Sequence, residues 1–186
     1  QFTNNTLLTT FIDWKRHKGC AVTVVKTSEI APSGAPTNGQ LTAYLRALPA
    51  ADYPEYLLIV GDHTAANGVE GAYFNSDTTD YYGYTDLDFA RRTTADYLPD
   101  LYYGRLPATN SPNLSNLLSR VLLMDRTPPT NTYYQKVCVA GQIQDGDDNN
   151  NVADRLFCET ADAIACFFEQ DAGGVDYTCT RALVNP

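Results

Sequence analysis

The side chains best equipped for chemistry in this sequence are carboxylates. The apolar run Tyr56-Leu57-Leu58-Ile59-Val60-Gly61 stops on Asp62, and Asp77, Asp80, Asp86, Asp88, Asp96 and Asp100 follow before the next apolar stretch. Calcium takes about six to eight oxygens from carboxylates, carbonyls and water. A folded loop this rich in acids can supply them. A solvated acidic loop is the plainer reading, and residue types alone leave both open. A second acidic run, Asp145-Gly146-Asp147-Asp148-Asn149, begins like an EF-hand. It carries Asn150 where that loop needs glycine and Leu156 where it needs glutamate, so it is not one. What remains is an acidic turn after a strand, able to take part in ligand or substrate binding.

Nucleophilic chemistry has weaker support. His17 sits among Lys15, Arg16 and Lys18 at a helix end, where a cation complements the helix dipole. His63 follows Asp62 at a strand end, a more suggestive place, and a pairing with a cysteine distant in sequence stays open. No serine lies in a G-x-S-x-G context. Neither Gly61 nor Gly141 opens a dinucleotide fingerprint or a P-loop.

The elements that must position these groups follow from periodicity. Leu7, Phe11 and Trp14 mark a helix over 6–18, stopped by Gly19. Cys20–Val25 is β-branched and reads as a strand, and Asn38 is the expected cap of a helix through Leu41, Leu45 and Leu48. Tyr56–Val60 is a second, buried strand. Residues 62–98 show no strong period, and so long a connection tends to be functional or disordered; its Tyr and Phe content argues against disorder. Leu101–Tyr103 is a third strand. Ser111-Pro112 opens a helix whose expected buried face is Leu114, Leu117, Val121 and Met124. After Thr127-Pro128-Pro129-Thr130, which reads as a boundary, the pattern restarts. Lys136–Ala140 is a strand, Val152–Gln170 an amphipathic helix, Gly173-Gly174 a stop and Val175–Thr180 a strand. Alternating strands and helices imply an α/β fold with a mostly parallel sheet and helices on both faces.

Composition narrows the partners. The chain has 186 residues and a formal charge of −9. An acidic surface repels phosphate, so nucleic acid is not an expected partner. No apolar run approaches a membrane span. Acidity suits a secreted protein or one that collects divalent cations. Gln1 follows no signal pattern, which fits either a mature start or an artificial boundary. None of the five cysteines forms a C-x-x-C pair, so zinc is not expected. Cys20 and Cys138 read as buried thiols. Cys158 and Cys166, about 12 Å apart along one helix, are too distant to bridge each other, though either could meet Cys179. Sequons occur at Asn4 and Asn113.

Several motifs also resemble a known family. Phe11-Ile12-Asp13-Trp14-Lys15 through Gly19-Cys20-Ala21-Val22-Thr23-Val24-Val25 resembles the helix–glycine–strand opening of gingipain-like cysteine peptidases, peptidase family C25. Tyr56–Asp62 resembles that family's strand ending in Gly-Asp, and Thr79-Asp80-Tyr81-Tyr82 its acid–aromatic motif. Pro99-Asp100-Leu101-Tyr102-Tyr103-Gly104-Arg105-Leu106-Pro107 is similar to its "PD…GR-P" motif. The order and spacing of these motifs run through nearly the whole chain.

The resemblance implies a three-layer α/β/α caspase-like fold. Residues 1–130 would form a first, supporting subdomain and 131–186 the beginning of a second, catalytic-type one. The family's catalytic His and Cys fall late in that second subdomain, so no residue here is carried over as catalytic. A cysteine endopeptidase is implied if the full-length protein holds the dyad. The resemblance further implies calcium in the first subdomain, on Asp62 and Asp80, with Asp86, Asp88 and Asp96 as looser candidates. Residues just after the strand at 136–141 line the family's substrate pocket, which gives Gln142 and Asp145. The family's arginine-specific pattern places an acid where this chain has Ile143, so arginine specificity is not implied. Expected partners are a peptide or protein substrate and the remainder of the chain or a partner chain, outside the cell or at its surface. The alternative is a non-catalytic, calcium-stabilised binding or assembly module, for which thirteen tyrosines offer interface anchors. A hydrolase using the acids with a metal is a third reading, poor in the histidines that catalytic zinc usually employs.

Overall fold

The computed structural model describes residues 2–32, 34–64, 68–75, 82–93, 97–130, 132–142, 156–170 and 176–184. They fall into two compact units, 1–127 and 128–186.

Unit 1 is built on a parallel pair, β1 (Tyr56–Val60) and β4 (Tyr102–Leu106), in the register Tyr56 to Tyr102 through Val60 to Leu106. Alternation along β1 sends side chains to opposite faces. Leu57 and Ile59 join Ile30, Leu41, Leu45, Val69 and Phe89, from the turn α2 (Thr27–Ile30), the helix α3 (Asn38–Arg46) and the turn α4 (Leu87–Ala90). Val60 and Leu106 face the other way, onto α1 (Thr6–His17) and α5 (Ser111–Arg126), whose Leu7, Phe11, Leu114 and Leu118 close a second core. Helices thus cover both faces of β1–β4, the three layers expected of the first subdomain.

Each long helix of this unit has a chemical start. Asn5 caps α1, accepting from Leu8 N at 3.1 Å, while its amide donates to Ser111 O and to the hydroxyls of Ser111 and Ser115. One buried side chain therefore ties the beginning of α1 to that of α5. Asn110 caps α5 through Asn113 N. The expected cap of α3 was Asn38. The cap is Thr37, whose hydroxyl accepts from Gln40 N while the Gln40 amide oxygen accepts from Thr37 N. A Thr-x-x-Gln capping box satisfies two orphan donors at once, which a single Asn does not. At the other end of α1 and α5, Asp125 takes Lys15 and Lys18, each at 2.6 Å, and the Trp14 indole at 3.0 Å.

A further expectation fails in this unit. Cys20–Val25 is not a strand: it makes no ladder, and Val24 and Val25 are exposed. A β-branched run without a partner has only propensity in its favour, and propensity is context-dependent. The connection over 62–98, which shows no strong period in sequence, carries regular structure. It holds the antiparallel hairpin β2 (Ala72–Asn75) with β3 (Tyr82–Thr85), as well as α4. The strands are too short to show a period.

Unit 2 pairs β5 (Lys136–Gln142) in parallel with β6 (Thr178–Val184), and α6 (Phe157–Gln170) packs Ala161 and Ala165 on Val137, Val139 and Cys179. Cys20 and Cys138 are exposed rather than buried, and all five cysteines are free thiols. The Cys179 thiol is pushed up by burial, with Glu169 adding to the shift, which favours its protonated form. Residues 152–155, 173 and 174, assigned by sequence to the helix and its stop, lie outside the described residues.

Candidate functional site: the corner after the first strand

The carboxyl ends of β1 and β4 form the corner where the acids begin. Gly61 continues the pairing, donating to Leu106 O at 2.9 Å, and Asp62 N donates to Ala108 O at 3.1 Å. Gly61 has φ of 141°, a conformation that side-chain-bearing residues rarely adopt, and it turns the chain out of the sheet. The chain returns at once, with Val69 N donating to Asp62 O at 3.0 Å. The end of the strand is thus a closed loop base with the Asp62 side chain beside it.

Arg105 holds this base. It sits on β4, opposite Ile59, with its side chain 14% exposed. Nη1 donates to Gly61 O at 2.7 Å and to Val69 O at 2.8 Å, the two carbonyls that flank the loop. Nε and Nη2 donate to Asp86 Oδ2 and Oδ1 at 2.8 and 2.5 Å. This is the planar fork geometry in which arginine and carboxylate bind most strongly. Sequence reasoning quoted Arg105 within a motif but gave it no role. The available signal was an arginine inside a half-buried strand, which must find an anion and carbonyls or not be there at all.

Three of the five expected metal ligands, Asp62, Asp86 and Asp88, are among the described residues, and each has its own partner. Asp62 Oδ1 accepts from Thr64 Oγ1 at 2.6 Å and from Thr64 N at 2.7 Å. These bonds, the hydroxyl's first, hold its carboxyl below the usual range, so it stays ionised. Asp86 has both oxygens on Arg105, and Asp88 pairs with Arg91. A carboxylate committed to a guanidinium is a poor ligand, because calcium would have to displace a charge-assisted pair. Asp80 and Asp96 lie outside the described residues, as does Asp145 of the expected substrate wall. Among the described residues no three His, Cys, Asp or Glu side chains are grouped to hold a metal. His63 packs its ring on Tyr84, centroids 4.5 Å apart, and Tyr84 meets Tyr73 edge-on at 5.5 Å. This small aromatic cluster beside Asp62 was not anticipated.

In unit 2, Gln142 is exposed at the carboxyl end of β5. The preceding Gly141 lies under the first turn of α6: a Cβ there would stand 3.0 Å from Phe157 O and from Cys158 Cα. The strand end and the helix start are therefore in backbone contact, the usual place for a ligand site in an α/β unit.

The model for peptidase family C25 matches residues 3–182. The chain belongs to peptidase family C25. Lys-gingipain W83 of Porphyromonas gingivalis is 30% identical over 133 residues, covering 68% of this chain and 7% of that protein. Lys-gingipain of a second strain of Porphyromonas gingivalis is also 30% identical, over 138 residues. The complex of Porphyromonas gingivalis RgpB pro- and mature domains superposes with a TM-score of 0.64 at 18% identity, over 95% of this chain and 38% of that one. The Arg-specific cysteine proteinase gingipain R gives the same TM-score at 16% identity. The C25 chain thus has the caspase-like α/β fold of these structures, and spans a small part of its curated relatives' length.

Proposed function

We propose that this chain is the supporting part of a gingipain-like cysteine endopeptidase acting outside the cell, with the catalytic His and Cys outside these 186 residues. The match of the C25 model to residues 3–182 carries this reading. In such an enzyme a cysteine thiolate attacks the peptide carbonyl carbon, and the histidine protonates the leaving amine. This chain's contribution is positional. Gln142, at the carboxyl end of β5, and Asp145 beyond it form one wall of the peptide cleft. Asp62, Asp80 and Asp96 bind calcium, with Arg105 and Arg91 keeping Asp86 and Asp88 out of the set. The ion would supply fixed positive charge that gathers the acidic loop onto the sheet edge and stabilises the folded state by binding it preferentially.

The test is a peptidyl thiol-reactive probe applied to the intact protein. Covalent labelling of a cysteine outside this chain, blocked by a peptide substrate, is expected. Absence of labelling would overturn the peptidase reading and favour the second one, a non-catalytic binding or assembly module. Exposed aromatic surface favours that reading: Tyr56 and Tyr102 stack at 5.3 Å on the sheet and are 65% and 68% exposed.

A further inference from the structure

A groove of about 520 Å³ lies between α3 and α4, lined by Asn38, Thr42, Arg46, Asp88 and Arg91. Asn38, Thr42 and Arg46 recur every four residues, so they share one face of α3. Two of their polar atoms have no protein partner although buried: Asn38 Nδ2 and Thr42 Oγ1. Thr42 is only 8% exposed. Threonines inside helices commonly return the hydroxyl to the carbonyl one turn back. Thr10 and Thr160 do so here, at 3.0 and 2.6 Å. Thr42 does not, and its hydroxyl is left in the groove wall. Arg46 gives Nε to Arg91 O at 3.1 Å, and its Nη1 and Nη2 bond to none of the described residues. Asp88 and Arg91 pair with each other and cancel in charge.

The uncommitted groups are therefore an amide, a hydroxyl and a guanidinium fork, with one net positive charge. Asn38 and Gly39, in the first turn of α3, line one end of the groove, and there the helix dipole favours an anion. A carboxylate has two acceptor oxygens and a single charge, which matches this set. A phosphate would bring a further charge against Asp88.

We propose that this groove binds a carboxylate group, presented by a small organic acid or by the carboxyl terminus of a peptide. The proposal is independent of the peptidase reading and uses none of its cleft residues.

Backbone-amide NMR titration of the whole protein tests it with four probes: propionate, an N-acetylated dipeptide with a free carboxyl terminus, the same dipeptide amidated, and inorganic phosphate. Saturable shifts at α3 and α4 are expected for both acids, with Kd of about 1 mM, and none for the amide. Equal affinity for the two acids identifies the carboxylate alone as the ligand, and tenfold tighter dipeptide binding identifies the peptide terminus. Arg46→Gln should weaken binding about tenfold. Thr42→Val should also weaken it without lowering thermal stability, because it removes an unpartnered buried hydroxyl. That variant decides the matter alone if Arg46→Gln fails to fold. No saturable shift, equal binding of the amide, tighter binding of phosphate, or unchanged affinity in Thr42→Val would each overturn the proposal.

Discussion

Arg105 and Asp86 form a two-pronged ion pair, at 2.8 and 2.5 Å, between a sheet strand and the loop segment that follows the hairpin. The same guanidinium holds the carbonyls of Gly61 and Val69, so three pieces of chain converge on one side chain.

Removing either partner strands a mostly buried charge. Arg105→Ala and Asp86→Ala should each lower the unfolding free energy by about 2–3 kcal/mol, the low end for a buried pair because both side chains keep some solvent contact. Urea denaturation measures this. Arg105→Lys should recover less than half, because an ammonium cannot span both oxygens and both carbonyls. Full recovery by lysine would mean that charge alone, without the fork, fixes the corner.

Calcium should separate the acids. Asp62→Asn and Asp80→Asn are expected to remove any calcium-dependent rise in Tm. Asp86→Asn should lower Tm equally with calcium and with chelator, since its work is done on Arg105. A calcium response lost in Asp86→Asn but kept in Asp62→Asn would reverse the assignment.

Acid should loosen the α1–α5 contact. Lys15 and Lys18, with the Trp14 indole, hold the Asp125 carboxyl far below its usual range. A carboxyl lowered on folding stabilises the native state above its unfolded value, about 4, and that stability is lost as pH falls toward the folded value. Asp62 and Glu169 shift the same way. Stability should therefore decline as pH drops below about 4. Asp125→Asn should flatten that decline, as followed by Tm against pH, and a profile identical to the parent's would remove Asp125 from the account.

Gly141→Ala should cost about 1–3 kcal/mol, because the new methyl meets the backbone of α6. Gly104→Ala, on β4 where nothing lies within 4 Å, is the control and should be nearly neutral. Thermal melts of the two variants compare them directly.

The long helices and the strands β1, β4 and β5 were legible in the sequence because hydrophobic period and breakers agreed. The details that failed were those set by neighbours. On α5 the buried face is Leu114, Leu118 and Leu122, while Met124 is exposed. Two apolar rows share Leu114, and only the packing of α1 and the sheet selects between them. Cys20–Val25 had the right residues for a strand and no ladder to join. Within the candidate site, the place of Asp62 at the strand end was legible from the apolar run before it. The commitment of Asp86 was not, since its partner lies nineteen residues away on another element.

The closed base after β1 bears on how such a corner can change over time. Residues 62 and 69 are joined by their own hydrogen bond, and one arginine holds the carbonyls of Gly61 and Val69 on either side. Substitutions, insertions or deletions between them need not propagate into the sheet. The segment is a socket for replaceable sequence, and new surface chemistry can be tried there while the strands beneath keep their register.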